Sequence, residues 1–168
     1  MTYPKTYHAW RRTTLPHPLS IVRTEESLPD TLGAHDVLIR IHAVSLNYRD
    51  VAMLREGDYP VPVEDGGVSA SDCAAEVIAI GDQVSYFKKG DHVAPTPDLE
   101  NLTGEERDIS GLTLGGDGPG VLREYAVFED KYLVKLPEHL SWEEVSTLTW
   151  RNDVAKPVER RPRSQSQV

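Results

Sequence analysis

The stretch VLIRIHAVSLNYRDVAMLREGDYP, Val37 to Pro60, changes character half-way along. Val37, Ile39, Ile41 and Ala43 alternate with Arg40 and His42 on the opposite face, the period of two that a strand shows. After Ser45 the alternation stops and a helix is predicted to start. Asn47 is a good N-cap, and Asp50 falls at N3, where an acid favours the helix dipole. Val51 and Leu54, with Tyr48 beside them, are then expected to face the core, and Gly57-Asp58 to end the helix. The polar residues of this segment admit two readings. In one, Asn47 and Asp50 only begin a helix. In the other, a helix of about two turns followed by a glycine turn returns Tyr59 beside Asn47, so that a phenol and an amide converge on one small pocket.

Further strand signals surround this segment. AAEVIAI (Ala74–Ile80) ends at the turn pair Gly81-Asp82, and KKGD (Lys88–Asp91) marks a second turn. HVAP, VLREYAVF (Val121–Phe128) and YLVKLP (Tyr132–Pro137) add short strands at spacings typical of a sandwich or small barrel. LSWEEVSTL (Leu140–Leu148) reads as a second helix, with Ser141 and Glu144 as a capping box and Trp142, Val145 and Leu148 on one face. The expected fold is mostly β (α+β), a partly open barrel with closed edges and two or three short helices. The expected domain runs over residues 1–150. The tail, 151–168, holds five basic and two acidic residues, contains Pro157 and Pro162, lacks apolar periodicity and is expected to be disordered.

Charge and composition narrow the partners. A formal net charge of −9 argues against general affinity for nucleic acid or anionic membrane. No apolar run approaches the ~20 residues that span a bilayer, and Met1–Trp10 lacks the apolar centre of a signal peptide. Cys73 is the only cysteine, so no internal disulfide forms and a reducing, cytoplasmic location is expected. Followed by Ala74 and Ala75, Cys73 reads as a small buried residue rather than a nucleophile. Arg49 and Asp50 read as helix-start and surface charges, and Asp72 and Glu76 as strand-face groups. The glycine-rich run GGDGPGV (Gly115–Val121) breaks the dinucleotide-binding spacing at Val121 and precedes a strand, so it reads as a connecting loop.

Three segments taken in order carry a resemblance: SLNYRDVAMLREGDYP, then GGVSASDCAAEVIAIGDQVSYFKKGDHVAP, then GVLREYAVFEDKYLVKLPEHLSWEEVSTL. Together they resemble the N-terminal, GroES-like half of the medium-chain dehydrogenase/reductase family, in particular its zinc-independent, quinone-oxidoreductase-like members. The resemblance implies a GroES-like fold. It further implies that Asn47 lies beside the nicotinamide of NADPH and the substrate carbonyl, and that Tyr59 lines the same pocket as a proton donor or orienter. Catalytic roles for Asn47 and Tyr59, and cofactor contact for Asn47, are therefore expected, with a carbonyl, enone or quinone as substrate. Zinc-binding relatives carry Cys where this chain has Asn47 and His where it has Ser71. Neither an amide nor a hydroxyl offers the thiolate or imidazole that zinc prefers, so no metal is expected.

The resemblance stops near Thr149-Trp150, before a cofactor-binding Rossmann half. The chain is accordingly expected to supply the substrate-binding half of an NADPH-dependent reductase, without catalysis on its own. A non-catalytic binding or interaction module, or a degenerate remnant of such a reductase, is the alternative. An exposed apolar patch around Trp142, Val145, Leu148 and Trp150 is expected on the last helix, favouring self-association. Elemental analysis of the purified protein should find no stoichiometric zinc. One tightly held zinc per chain would reject the metal-free reading.

Overall fold

The computed structural model describes residues 3–100 and 112–148. The expected tail over 151–168, the boundary at Trp150 and the tryptophan itself lie outside the described residues. β1 (Thr6–Arg12) and β2 (Ile21–Ser27) pair as an antiparallel ribbon. β3 (Asp36–Ser45), β4 (Asp72–Ile80), β5 (His92–Pro95), β6 (Tyr125–Glu129) and β7 (Leu133–Lys135) form one antiparallel sheet in the order β6-β3-β4-β5-β7. Two short helices complete the described elements, α1 (Tyr48–Ala52) and α2 (Trp142–Ser146), with a 3₁₀ turn over Asp130–Tyr132. The mostly β reading holds. Among the described residues the sheets do not close into a barrel, so the expectation of closed edges is corrected: β6 and β7 stand at the two ends of the five-stranded sheet. No helix among the described residues is long and apolar enough to cross a membrane.

β3 carries the architecture. Val37 and Ile39 enter the main core with Val77, Val93 and Phe128, as the period of two predicts. The opposite face is also covered at its start. Leu38 is fully buried with Tyr7, Ala9, Leu28 and Val68, because β1 crosses over that side. Trp10 N donates to Leu122 O at 2.9 Å and Arg12 N to Gly67 O at 3.0 Å, which ties the ribbon to the loops beside the sheet. Register shifts after Leu38 and after Ile41 bend β3 and turn its last residues toward α1.

α2 forms where its capping box predicts. Ser141 Oγ accepts from Glu144 N (3.2 Å), and Glu144 Oε2 accepts from Ser141 N (2.9 Å). Its apolar face is not left bare. Val145 is buried against Ala74, Ala94 and Leu136, and the Trp142 ring lies between His42 (4.2 Å) and His92 (4.0 Å). The expected exposed patch is therefore corrected at Val145 and Trp142. The sheet supplied a cover that helical periodicity alone does not reveal.

The largest fully buried side chain is charged. Arg12, 1% exposed, sends Nη1 to Gly115 O (2.6 Å) and Nη2 to Glu64 O and Gly116 O (both 3.1 Å). Burial lowers its pKa from the ordinary guanidinium value. This one group clamps the end of β1, the 64–69 segment and the glycine loop. Arg12→Met keeps most of the stem but strands the Gly115 carbonyl and removes the charge-assisted bonds, at a cost of about 3 kcal/mol. The urea midpoint should fall accordingly. A midpoint equal to wild type would show that the clamp contributes nothing.

Candidate functional site

α1 begins with a half-made cap. Asp50 Oδ2 accepts from Asn47 N at 2.8 Å, and Asp50 N donates to Asn47 O at 3.0 Å. The Asn47 side chain sits in a capping box with the Asp50 backbone, without a close cap hydrogen bond. Its Nδ2 donates to Asp72 Oδ2 at 2.8 Å, across to the start of β4. The residue that begins the helix is thus also tied to β4, which separates Asn47 from a purely local role.

Asp50 is not the surface charge that the sequence suggests. It is 7% exposed, and Oδ1 accepts from Ala70 N at 3.0 Å. Ala70 has φ of 68°, a left-handed conformation that costs a side-chain-bearing residue roughly 1–2 kcal/mol. The buried carboxylate holds that strained amide and the Asn47 amide together. Beyond Ala70 the chain delivers Ser71 and Asp72, both fully buried or nearly so. Ser71 Oγ donates to Asp72 Oδ2 at 2.7 Å, so that oxygen accepts from a hydroxyl and an amide together. Asp72 is therefore more than the strand-face group expected. Cys73, next in line, is buried, and burial raises its thiol pKa, which suits the structural role read from the sequence.

Tyr59 reaches the site through Arg49. Arg49 Nε donates to the Tyr59 hydroxyl oxygen at 3.2 Å, and Nη1 donates to Leu114 O at 2.8 Å. The reading of Arg49 as a surface charge is corrected as well. Its guanidinium needs a partner loop without side chains. A Cβ at Gly116 would lie 2.8 Å from Arg49 Nη2, and one at Gly115 would lie 2.5 Å from Ala70 O. The glycine run is a connecting loop, as expected, and it also backs the site.

The helix presents a different face from the one expected. Asp50, Ala52 and Met53 are buried, whereas Tyr48 is 77% and Val51 47% exposed. Buried polar partners for Arg49 and Asp50 rotated α1 away from the position that apolar periodicity alone would choose. α1 also ends earlier, with Met53 as its C-cap rather than at Gly57-Asp58. Asn47 and Tyr59 flank its first turn. No hydrogen bond joins the two, and their link runs through Arg49 and the backbone.

The arrangement offers complementary chemistry. Nδ2 of Asn47 is committed to a carboxylate, and the amide oxygen, an acceptor with two lone pairs, lies in the capping box with the Asp50 backbone. The Tyr59 oxygen already accepts from Arg49, which leaves its O–H to donate. An acceptor and a donor thus stand at two sides of one helix start. Both residues are the site candidates named from the sequence. Sequence reasoning misread Arg49, Asp50 and Asp72, which hold them, because each also has a partner 20 or more residues away along the chain, and it passed over Arg12, whose partner Gly115 lies more than 100 residues away.

Comparison with known proteins bears on what this scaffold is. The alcohol dehydrogenase GroES-like domain matches residues 33–138. A zinc-type alcohol dehydrogenase-like protein of Schizosaccharomyces pombe is 37% identical over 125 residues, covering 74% of this chain and 36% of the relative. A quinone oxidoreductase of Pseudomonas aeruginosa is 31% identical over 121 residues, covering 71% of this chain and 30% of that enzyme. In a structure assigned as an alcohol dehydrogenase from Sinorhizobium meliloti, 88% of this chain superimposes on 44% of that one with a TM-score of 0.75 and 34% identity. The chain spans about a third of the length of the curated relatives it matches. A fold of two antiparallel sheets with two short helices, a matching family model over most of the described chain and relatives above 30% identity agree: the chain belongs to the alcohol dehydrogenase GroES-like domain family, the N-terminal domain of medium-chain dehydrogenases/reductases.

Proposed function

We propose that residues 1–150 form the substrate-side domain of a zinc-independent oxidoreductase that reduces an uncharged enone, quinone or related carbonyl compound with NADPH. The observation that carries this reading is the Asn47–Asp72–Ser71 cluster, in which an amide and a hydroxyl both donate to one buried carboxylate oxygen. A zinc ion needs lone pairs from thiolates, imidazoles or carboxylates. Here two of the three groups point donors inward, and among the described residues no three His, Cys, Asp or Glu side chains cluster. Those residues do not fit zinc. The similarity to a quinone oxidoreductase favours the substrate class, although the S. pombe relative is named zinc-type.

A reduced nicotinamide, when bound, supplies a hydride. Among the described residues nothing forms a phosphate cradle, since the Gly115–Gly120 run packs against Val68–Ala70 and leads into a strand. What this domain offers such a cofactor is the Asn47 amide oxygen, an acceptor for a carboxamide N–H or a ribose hydroxyl. Tyr59 is the proton donor. As the carbonyl oxygen gains negative charge, the phenol O–H transfers to it, while the Arg49 Nε–H remains on the phenolic oxygen and stabilises the charge left there. Asp72 holds Asn47 in orientation, and Leu114 O holds Arg49.

The test is catalytic. Fused after Leu148 to the cofactor domain of a zinc-independent relative, the chain should reduce an activated alkene or quinone with NADPH. Tyr59→Phe, which removes one hydroxyl, and Asn47→Ala should each lower kcat by about 10²-fold, the usual effect of losing a positioned proton donor or polar partner. A fusion that turns over equally well with Tyr59→Phe would exclude the phenol from the chemistry. If NADPH oxidation is absent in an otherwise folded fusion, the non-catalytic alternative is favoured.

A further inference from the structure

Beside α1 lies a cavity of about 300 Å³ that does not include the polar cluster. Leu19, Met53, Val61, Pro62 and Val63 wall it together with Tyr59, whereas Asn47, Ser71 and Asp72 take no part. Leu19 and Met53 are 8% and 1% exposed, so the floor belongs to the packed interior. Tyr59 is the one candidate residue common to the cavity and the site. It lines the cavity, and its hydroxyl is held by Arg49.

The size and lining define a ligand. A volume near 300 Å³ is at the lower end of small-molecule sites, and such sites are mostly apolar with a few oriented polar groups. The lining carries two carboxylates, Glu64 and Asp65, together with His17 and one guanidinium, Arg55, which faces Asp58 at 3.7 Å. A carboxylate, phosphate or thioester-linked anion in this cavity meets the like charges of Glu64 and Asp65 and leaves its hydration behind.

We propose that this cavity seats the apolar body of the substrate, an uncharged monocyclic or bicyclic carbonyl compound whose reacting oxygen turns toward the Tyr59 hydroxyl, and that the lining carboxylates Glu64 and Asp65 reject anions of the same shape. This rests on the reading of Tyr59 as proton donor. It adds where the rest of the molecule sits and which charge class is excluded. Val61 and Val63 border the cavity without touching the polar cluster, so they set the size of the accepted substrate.

Two probes of nearly equal shape separate charge from size: 4-phenyl-3-buten-2-one, a neutral enone, and trans-cinnamate, in which a carboxylate replaces the ketone. With the full chain labelled at its methyl groups, the enone should shift the Met53 and Leu19 resonances saturably. Cinnamate should bind at least about tenfold more weakly. Val63→Trp fills the cavity and should abolish the enone shifts. Val61→Trp, at a position 55% exposed, repeats the test where folding is not at stake. Cinnamate binding as tightly as the enone, no saturable shift at Met53 or Leu19, or shifts that survive both tryptophans would overturn the proposal. Turnover keeps the two ideas apart. If the fused enzyme reduces the enone unaffected by Val63→Trp, the cavity is not the substrate's seat, although reduction stands. If the shifts appear but no fusion reduces the enone, the cavity stands and reduction does not.

Discussion

Asp50 is the constraint on which the candidate site depends. Its two carboxylate oxygens accept from Asn47 N and Ala70 N, at 2.8 and 3.0 Å, and so tie the start of α1 to the entry of β4. That bridge holds the left-handed Ala70 from one side, while Val121 N donates to Ala70 O at 2.9 Å from the other, and the chain beyond it brings Ser71 and Asp72 to the Asn47 side chain. The helix is only Tyr48–Ala52, too short to hold an orientation through its own hydrogen bonds. Tertiary polar contacts fix it instead. Burying a carboxylate is costly, and the expense is offset only when its oxygens are well paired, as these are.

A second tier of buried charge supports the first. Arg12 clamps the 64–69 segment to Gly115 and Gly116, while Arg49 joins Tyr59 to Leu114 just ahead of the same glycines. The glycine loop therefore acts as a wall common to both guanidinium groups. Its lack of side chains lets Arg49 and Ala70 approach closely. A half-site results in which a donor, Tyr59 O–H, and an acceptor, the Asn47 amide oxygen, are each preset by a partner of opposite kind. Such preorganisation is what carbonyl reduction asks of a protein, because charge develops on an oxygen within a partly dry pocket.

Much of the fold was legible in the sequence, and for a physical reason. β3 is written in local alternation, β4 in a short apolar run closed by the turn pair Gly81-Asp82, and α2 in the spacing of Ser141 and Glu144, so short windows suffice. The identities of Asn47 and Tyr59 as candidates were also legible, through the order of the three motif segments. The orientation of α1 was not. Val51 and Tyr48 carry the apolar signal, yet Asp50 and Met53 are the residues inside. Periodicity measures burial of apolar groups and is blind to a charge that finds buried partners far along the chain. Arg12 illustrates the same limit, since nothing near it in sequence announces the carbonyls of Gly115 and Gly116. The covering of Val145 by Ala74 and Ala94 is likewise a tertiary fact.

The central claim is that Asp50 holds Asn47 on Asp72 and thereby presets the half-site. The most direct measurement is the side-chain amide signal of Asn47 by ¹H–¹⁵N NMR in wild type and in Asp50→Asn. That change preserves shape but leaves one of the two bridged amides facing an NH₂ donor. In the wild-type protein the two Asn47 amide protons should be strongly inequivalent and slow to exchange with water. In Asp50→Asn they should collapse toward the values of a free asparagine amide, while the signals of Val145 and its neighbours on α2 stay in place. An Asn47 amide signal unchanged by Asp50→Asn in a folded protein would contradict the account.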